Sequence, residues 1–73
     1  MSKKRTFELS ENNEFIELNK LLKIEQIAQT GGHAKLLIQE DQITVNNEIE
    51  SRIRRKLRKG DVVQFEDTLI EIV

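Results

Sequence analysis

Half of the chain's twelve lysines and arginines fall within eight consecutive residues, Arg52-Ile53-Arg54-Arg55-Lys56-Leu57-Arg58-Lys59. A guanidinium is a planar fork that meets a phosphate through two parallel hydrogen bonds and also stacks on bases. Six cations this close together suit an anionic polymer. The plainer alternative is a solvated charged face. If the stretch is extended, Arg52 and Arg54 share a face, Ile53 points the other way, and Leu57 anchors the end in a core.

A second group with chemical potential is Thr30-Gly31-Gly32-His33-Ala34-Lys35. Thr30 is a good helix N-cap, and the two glycines let the backbone turn tightly before the helix. Amides of Gly31, Gly32 and His33 at a helix start can hold a phosphate, with Lys35 adding charge. An ordinary cap and turn explains the same residues. His33 is the sole histidine and there is no cysteine. As a catalytic base it lacks a recognisable nucleophile or orienting partner. As a metal ligand it has no second histidine or thiolate to work with. A phosphate donor, a stacking ring or a simple surface residue remains. No catalytic residue, metal or cofactor is expected.

The net charge of −1 would by itself argue against a nucleic-acid partner. Its distribution argues the other way, because positive residues gather at 1–5, 19–35 and 52–59, with acidic stretches between them. Binding responds to the local field rather than to the sum. Tyr and Trp are absent, and the three Phe are best placed in or near a core. Single-strand readers stack bases on exposed aromatics, so the expectation is readout of shape and phosphate on folded or duplex RNA.

These residues need a frame. Seventy-three residues suffice for one domain, with no disulfide to support it. No apolar run approaches a membrane span. The basic start Met-Ser-Lys-Lys-Arg is followed by Glu8, Glu11 and Glu14 rather than by an apolar stretch, so a cytoplasmic, unprocessed chain is expected. Thr6–Leu9 alternates like a short strand. From about Glu17, Leu18, Leu21, Leu22 and Ile24 recur at helical spacing, with Lys20 and Lys23 as neighbours on the surface. Ile27 and Ala28 close that apolar face. A second helix starts after Thr30, turns Ala34, Leu37 and Ile38 inward, and ends near Glu40-Asp41. Ile43–Val45 and Glu48–Glu50 flank an Asn46-Asn47 turn, and Gly60-Asp61 is another turn. Val62–Phe65 and Thr68–Val73 form a last hairpin around Glu66-Asp67, in which Leu69 breaks the alternation. The expected core is Phe7, Leu9, Leu18, Leu21, Leu22, Ile27, Leu37, Ile38, Ile43, Val45, Ile49, Leu57, Val62, Phe65 and Ile70. The fold class is α+β, two helices on a small, mostly antiparallel sheet.

An ordered series runs through the chain: Leu21-Leu22-Lys23, Thr30-Gly31-Gly32-His33-Ala34-Lys35, Ile38, Ile43-Thr44-Val45-Asn46-Asn47-Glu48, Arg54-Arg55-Lys56-Leu57 and Gly60-Asp61-Val62-Val63. It resembles the S4 RNA-binding domain, and most of all the short stand-alone bacterial S4-like proteins. The resemblance covers about residues 15–66. It implies the S4-like (alpha-L) fold over a single domain, 1–73. It also implies a monomer that binds structured RNA, ribosomal RNA or a ribosome assembly intermediate, without catalysis. The family meets RNA with its first two helices and the following loop. Carried over, this gives Lys20, Lys23, Lys35, Arg52, Arg54, Arg55 and Lys56 as phosphate contacts, beside the Thr30–His33 turn. Asn46 and Asn47 would reach sugars or base edges, or serve only as turn residues. Two positions depart from the family: Asp41 and Asn47 stand where glycine is usual. Both residue types tolerate left-handed backbone. An acidic protein partner for the basic block is the alternative function, and DNA a variant of the first, separable through the 2′-hydroxyl.

Overall fold

The computed structural model describes residues 3–73, so Met1 and Ser2 of the basic N-terminal stretch lie outside the described residues. The elements in order are β1 (Lys3–Phe7), β2 (Ile16–Glu17), α1 (Leu18–Ile24), α2 (Gly31–Gln39), β3 (Ile43–Val45), β4 (Glu48–Ile49), β5 (Lys56–Leu57), β6 (Val62–Phe65) and β7 (Thr68–Ile72). Five strands form one sheet in the order β1-β7-β6-β3-β4, while β2 and β5 form a separate two-stranded ribbon. All neighbours are antiparallel except β1 and β7, which run parallel.

One apolar cluster unites the layers. Leu18, Leu21 and Leu22 of α1 and Ala34 and Ile38 of α2 meet Ile43 and Val45 of β3, Val63 of β6 and Ile70 and Ile72 of β7. Each large side chain so buried contributes roughly 1.5–3 kcal/mol before chain entropy is counted. Leu57 joins from the ribbon and is fully buried. Phe7, Ile27, Leu37 and Phe65 are half-buried and pack against the cluster.

The structure corrects the expected core at the sheet. Val63 rather than Val62 is fully buried, since the β6 register pairs Val63 with Val45 and Ile70, and period-two alternation then turns Val62 to the other face. In β7, Ile70 and Ile72 face inward while Leu69 and Glu71 face the opposite side, so the alternation is regular after all. Ile49 is 61% exposed, because β4 is a two-residue edge strand with nothing packed over it. The first strand begins at Lys3 rather than Thr6. Its partner is the distant β7, paired from Lys3↔Thr68 to Phe7↔Ile72, so local alternation carries no trace of it. Leu9 lies beyond the strand, is buried, and donates its amide to the Val73 carbonyl at 3.0 Å.

Asn46 and Asn47 have φ of 53° and 70°, as a two-residue hairpin loop of the primed type requires, and Asp41 has φ of 59°. The two residues standing where the family usually has glycine therefore do occupy left-handed backbone.

Candidate nucleic-acid interface

The basic block is extended only at Lys56–Leu57, in β5. The Arg55 amide donates to the Arg52 carbonyl at 3.3 Å, closing a turn with Ile53 and Arg54 at its tip. The expected face shared by Arg52 and Arg54 is therefore replaced by a loop, and its organiser is a residue absent from the sequence-derived set. Glu50 is 5% exposed. Its carboxylate accepts from the Arg52 amide at 2.9 Å, from Arg52 Nε at 3.1 Å and Nη2 at 3.2 Å, and from Arg55 Nη1 at 2.6 Å. Burial alone would push the Glu50 carboxyl up, but these hydrogen bonds from Arg52 and Arg55 outweigh it and hold the pKa at about 2. The same hydrogen bond raises the pKa of Arg52.

The loop is fastened on both sides. The Glu50 amide donates to the Ile43 carbonyl at 3.1 Å, on the sheet side. On the other side, the ribbon pairs Ile16 with Leu57 and Glu17 with Lys56. The carbonyls of Arg55 and Ile53 accept from the amides of Leu18 at 2.9 Å and Asn19 at 3.1 Å. These are the first two amides of α1, which would otherwise lack partners. So the arginine loop caps the first helix. Arg52, Arg54, Arg55 and Lys56 together line a shallow depression of about 480 Å³. Arg54 and Lys56 are exposed, and the Arg52 side chain is 70% exposed although it is paired. With one buried carboxylate beneath four cations, the depression keeps a net positive charge.

At the second helix, Thr30 has extended backbone and its Oγ1 accepts from the His33 amide at 3.0 Å. The His33 amide is thus committed to the cap rather than offered to a ligand. Its ring is committed as well: Nδ1 accepts from the Gln29 amide at 3.2 Å, which assigns the ring proton to Nε2. That leaves Nε2–H as a donor. Among the described residues, the Gly31 and Gly32 amides have no protein acceptor. A side chain built on Gly31 would meet nothing within 4 Å, and neither glycine has a left-handed φ. The fold does not require these glycines; they leave the helix start bare. Lys35 is exposed on α2, and Lys23 lines a depression with Gln26, Ala28 and Gln29 beside the turn into that helix.

Two expected contacts are engaged elsewhere. Lys20 pairs with Glu17 at 3.3 Å, so its charge is partly offset. Asn46 donates through Nδ2 to Asp61 Oδ1 at 3.0 Å, and its Oδ1 accepts from the Val62 amide at 2.9 Å. Its amide ties the β3–β4 turn to the start of β6 rather than reaching for bases. Asn47 is exposed at the tip of that turn.

Phe15 was also misplaced by sequence reasoning. It is 36% exposed, with Lys56 Nζ 5.0 Å and Arg58 Cζ 5.8 Å from its ring centroid. Its place follows from the ribbon register, which the sequence does not disclose: Ile16 pairs with buried Leu57, so alternation puts Phe15 on the outer face.

The S4 domain family matches residues 7–73. The Bacillus subtilis (strain 168) protein RlbA, named as a probable ribosome maturation protein, is 41% identical over 58 residues, which cover 80% of this chain and 82% of RlbA. YbcJ of Escherichia coli K12 is 36% identical over 58 residues, covering 80% of this chain and 83% of YbcJ. The solution structure of E. coli YbcJ, described as revealing an αL motif involved in RNA binding, superimposes with a TM-score of 0.72 over 100% of this chain and 91% of that one. The ribbon-anchored arginine loop against two helices is thus carried by a chain that belongs to the S4 domain family.

Proposed function

We propose that the chain is a non-catalytic RNA-binding protein that docks folded RNA, ribosomal RNA or a ribosome assembly intermediate, on the arginine loop and the adjoining helix starts. The observation that carries the reading is the convergence of Arg52, Arg54, Arg55 and Lys56 on one depression, organised by a single buried carboxylate. Lys23, Lys35 and the bare Gly31-Gly32 amides are further phosphate donors offered by the two helices. The relationship to RlbA and to the αL structure of YbcJ supports RNA as the polyanion and ribosome maturation as the setting.

Phosphate contacts release counterions, so affinity should fall steeply with salt. About six contacts predict a loss on the order of a thousandfold between roughly 50 and 200 mM salt. The variants to test are Arg54→Glu and Lys56→Glu, which leave the partners of Glu50 intact. Measured with a structured ribosomal RNA fragment, the double variant should lose most of its affinity and have a shallower salt slope. Affinity that ignores both salt and charge reversal would overturn the reading, and RNase-resistant capture of an acidic protein would replace it. Crosslinking in cells followed by sequencing identifies the RNA.

A further inference from the structure

The outer face of the β2–β5 ribbon has a composition that phosphate binding alone does not explain. Ile16 and Leu57 point toward the core, so Phe15, Glu17, Lys56 and Arg58 occupy the opposite face. Phe7 and Phe65 are half-buried and pack against the apolar cluster, whereas Phe15 is exposed. Its ring instead sits under two cations. Beside it runs a groove of about 730 Å³ whose lining includes Phe7, Leu9, Phe15 and Ile16 together with Asn12 and Asn13.

We propose that this face is a stacking subsite for one unpaired nucleobase of an RNA whose neighbouring phosphates lie on the arginine loop. The inference rests on the RNA-binding reading above and adds what kind of RNA the surface prefers. Phe15 supplies the π-face. Lys56 and Arg58 can turn to phosphate while the base takes their place over the ring. The charge pattern sets the orientation. Glu8, Glu14 and Glu17 line the groove against one cation, Lys20, which pairs with Glu17; the net negative lining disfavours a phosphate there and admits an uncharged heterocycle. Lys56 also lines the depression that holds Arg54, so a phosphate that it takes up lies toward the arginine loop. The ion pair that ties Arg58 to Glu14 of the groove, at 3.9 Å, is loose and solvent-exposed, so it is a weak restraint. Asn12 and Asn13, in the lining of the same groove, supply amide donors and acceptors for the edge of the inserted base. An aromatic ring, side-chain amides and adjacent cations together suit a nucleotide better than a duplex backbone.

The test compares a blunt RNA duplex with the same duplex carrying a single unpaired adenosine, using the full chain. Stacking on one aromatic ring predicts that the wild type prefers the second RNA by about tenfold. Phe15→Leu keeps an apolar side chain but no ring. It should abolish that preference while holding affinity for the blunt duplex, and its salt dependence, within about twofold. The chain has no Trp or Tyr, so Phe15→Trp installs a unique fluorophore. Its emission should be quenched by the RNA with the unpaired base and far less by the blunt duplex. Equal wild-type affinity for both RNAs overturns the inference but leaves RNA binding standing. A preference that survives in folded Phe15→Leu, or equal quenching by both RNAs, also overturns it. Binding of neither RNA by the wild type overturns the functional reading beneath it as well.

Discussion

Glu50 shows how one acidic residue can serve a basic surface. Two arginine side chains brought together repel each other and sample many rotamers; a buried carboxylate between them offsets the repulsion and restricts both. Because the folded pKa is about 2, below the ordinary 4.5, this contribution is complete above pH 4.5 and is lost as pH falls through 2. A shift of that size corresponds to about 3 kcal/mol. Glu50→Gln should therefore destabilise the chain by about 1–3 kcal/mol at neutral pH, and denaturant melts should show the gap narrowing between pH 4.5 and 2. The same variant separates positioning from bulk charge in RNA binding. It makes the patch more positive, so charge alone predicts tighter binding; loss of the ordered loop predicts weaker binding, which is the expected result by titration. The cations of this site were legible from their density in the sequence. The carboxylate was not, because its role depends on a turn at Ile53-Arg54 that reverses the chain and returns Arg55 to it.

At the scale of elements, both helices and both hairpin turns, Asn46-Asn47 and Glu66-Asp67, could be read from spacing, a cap and turn residues. What could not be read was register. Val62 and Val63 are chemically equivalent, and only pairing with β3 and β7 decides which faces the core. Val63→Ala should cost more in thermal stability than Val62→Ala, since only the first side chain is fully buried. The caps make their own prediction: Thr30→Ala removes the acceptor for the His33 amide and should cost about 1 kcal/mol in chemical denaturation. The β6–β7 turn is not optimal for stability. Glu66 holds a φ of 53° in a loop position that favours glycine, so Glu66→Gly should raise stability by up to roughly 1 kcal/mol in the same assay.

Over the whole molecule, charge is segregated rather than summed. Acidic stretches alternate with the basic ones along the sequence, so local charge rather than the net −1 governs where a polyanion docks. The sheet is also finished by a long-range device. β1 covers the edge of β7 through a parallel pairing between the two ends of the described chain. Deleting residues 1–7 should lower the melting temperature and, by exposing the β7 edge, cause concentration-dependent association in size-exclusion chromatography.

The loop carbonyls that accept from Leu18 and Asn19 carry one more consequence. Those two amides cannot stay protected unless the arginine loop is in place, so the start of the helix and the cationic loop open together. Hydrogen exchange at Leu18 and Asn19 is thus a built-in gauge of loop order, readable in the free protein. A bound RNA that stiffens the loop would slow exchange at two backbone positions it never touches.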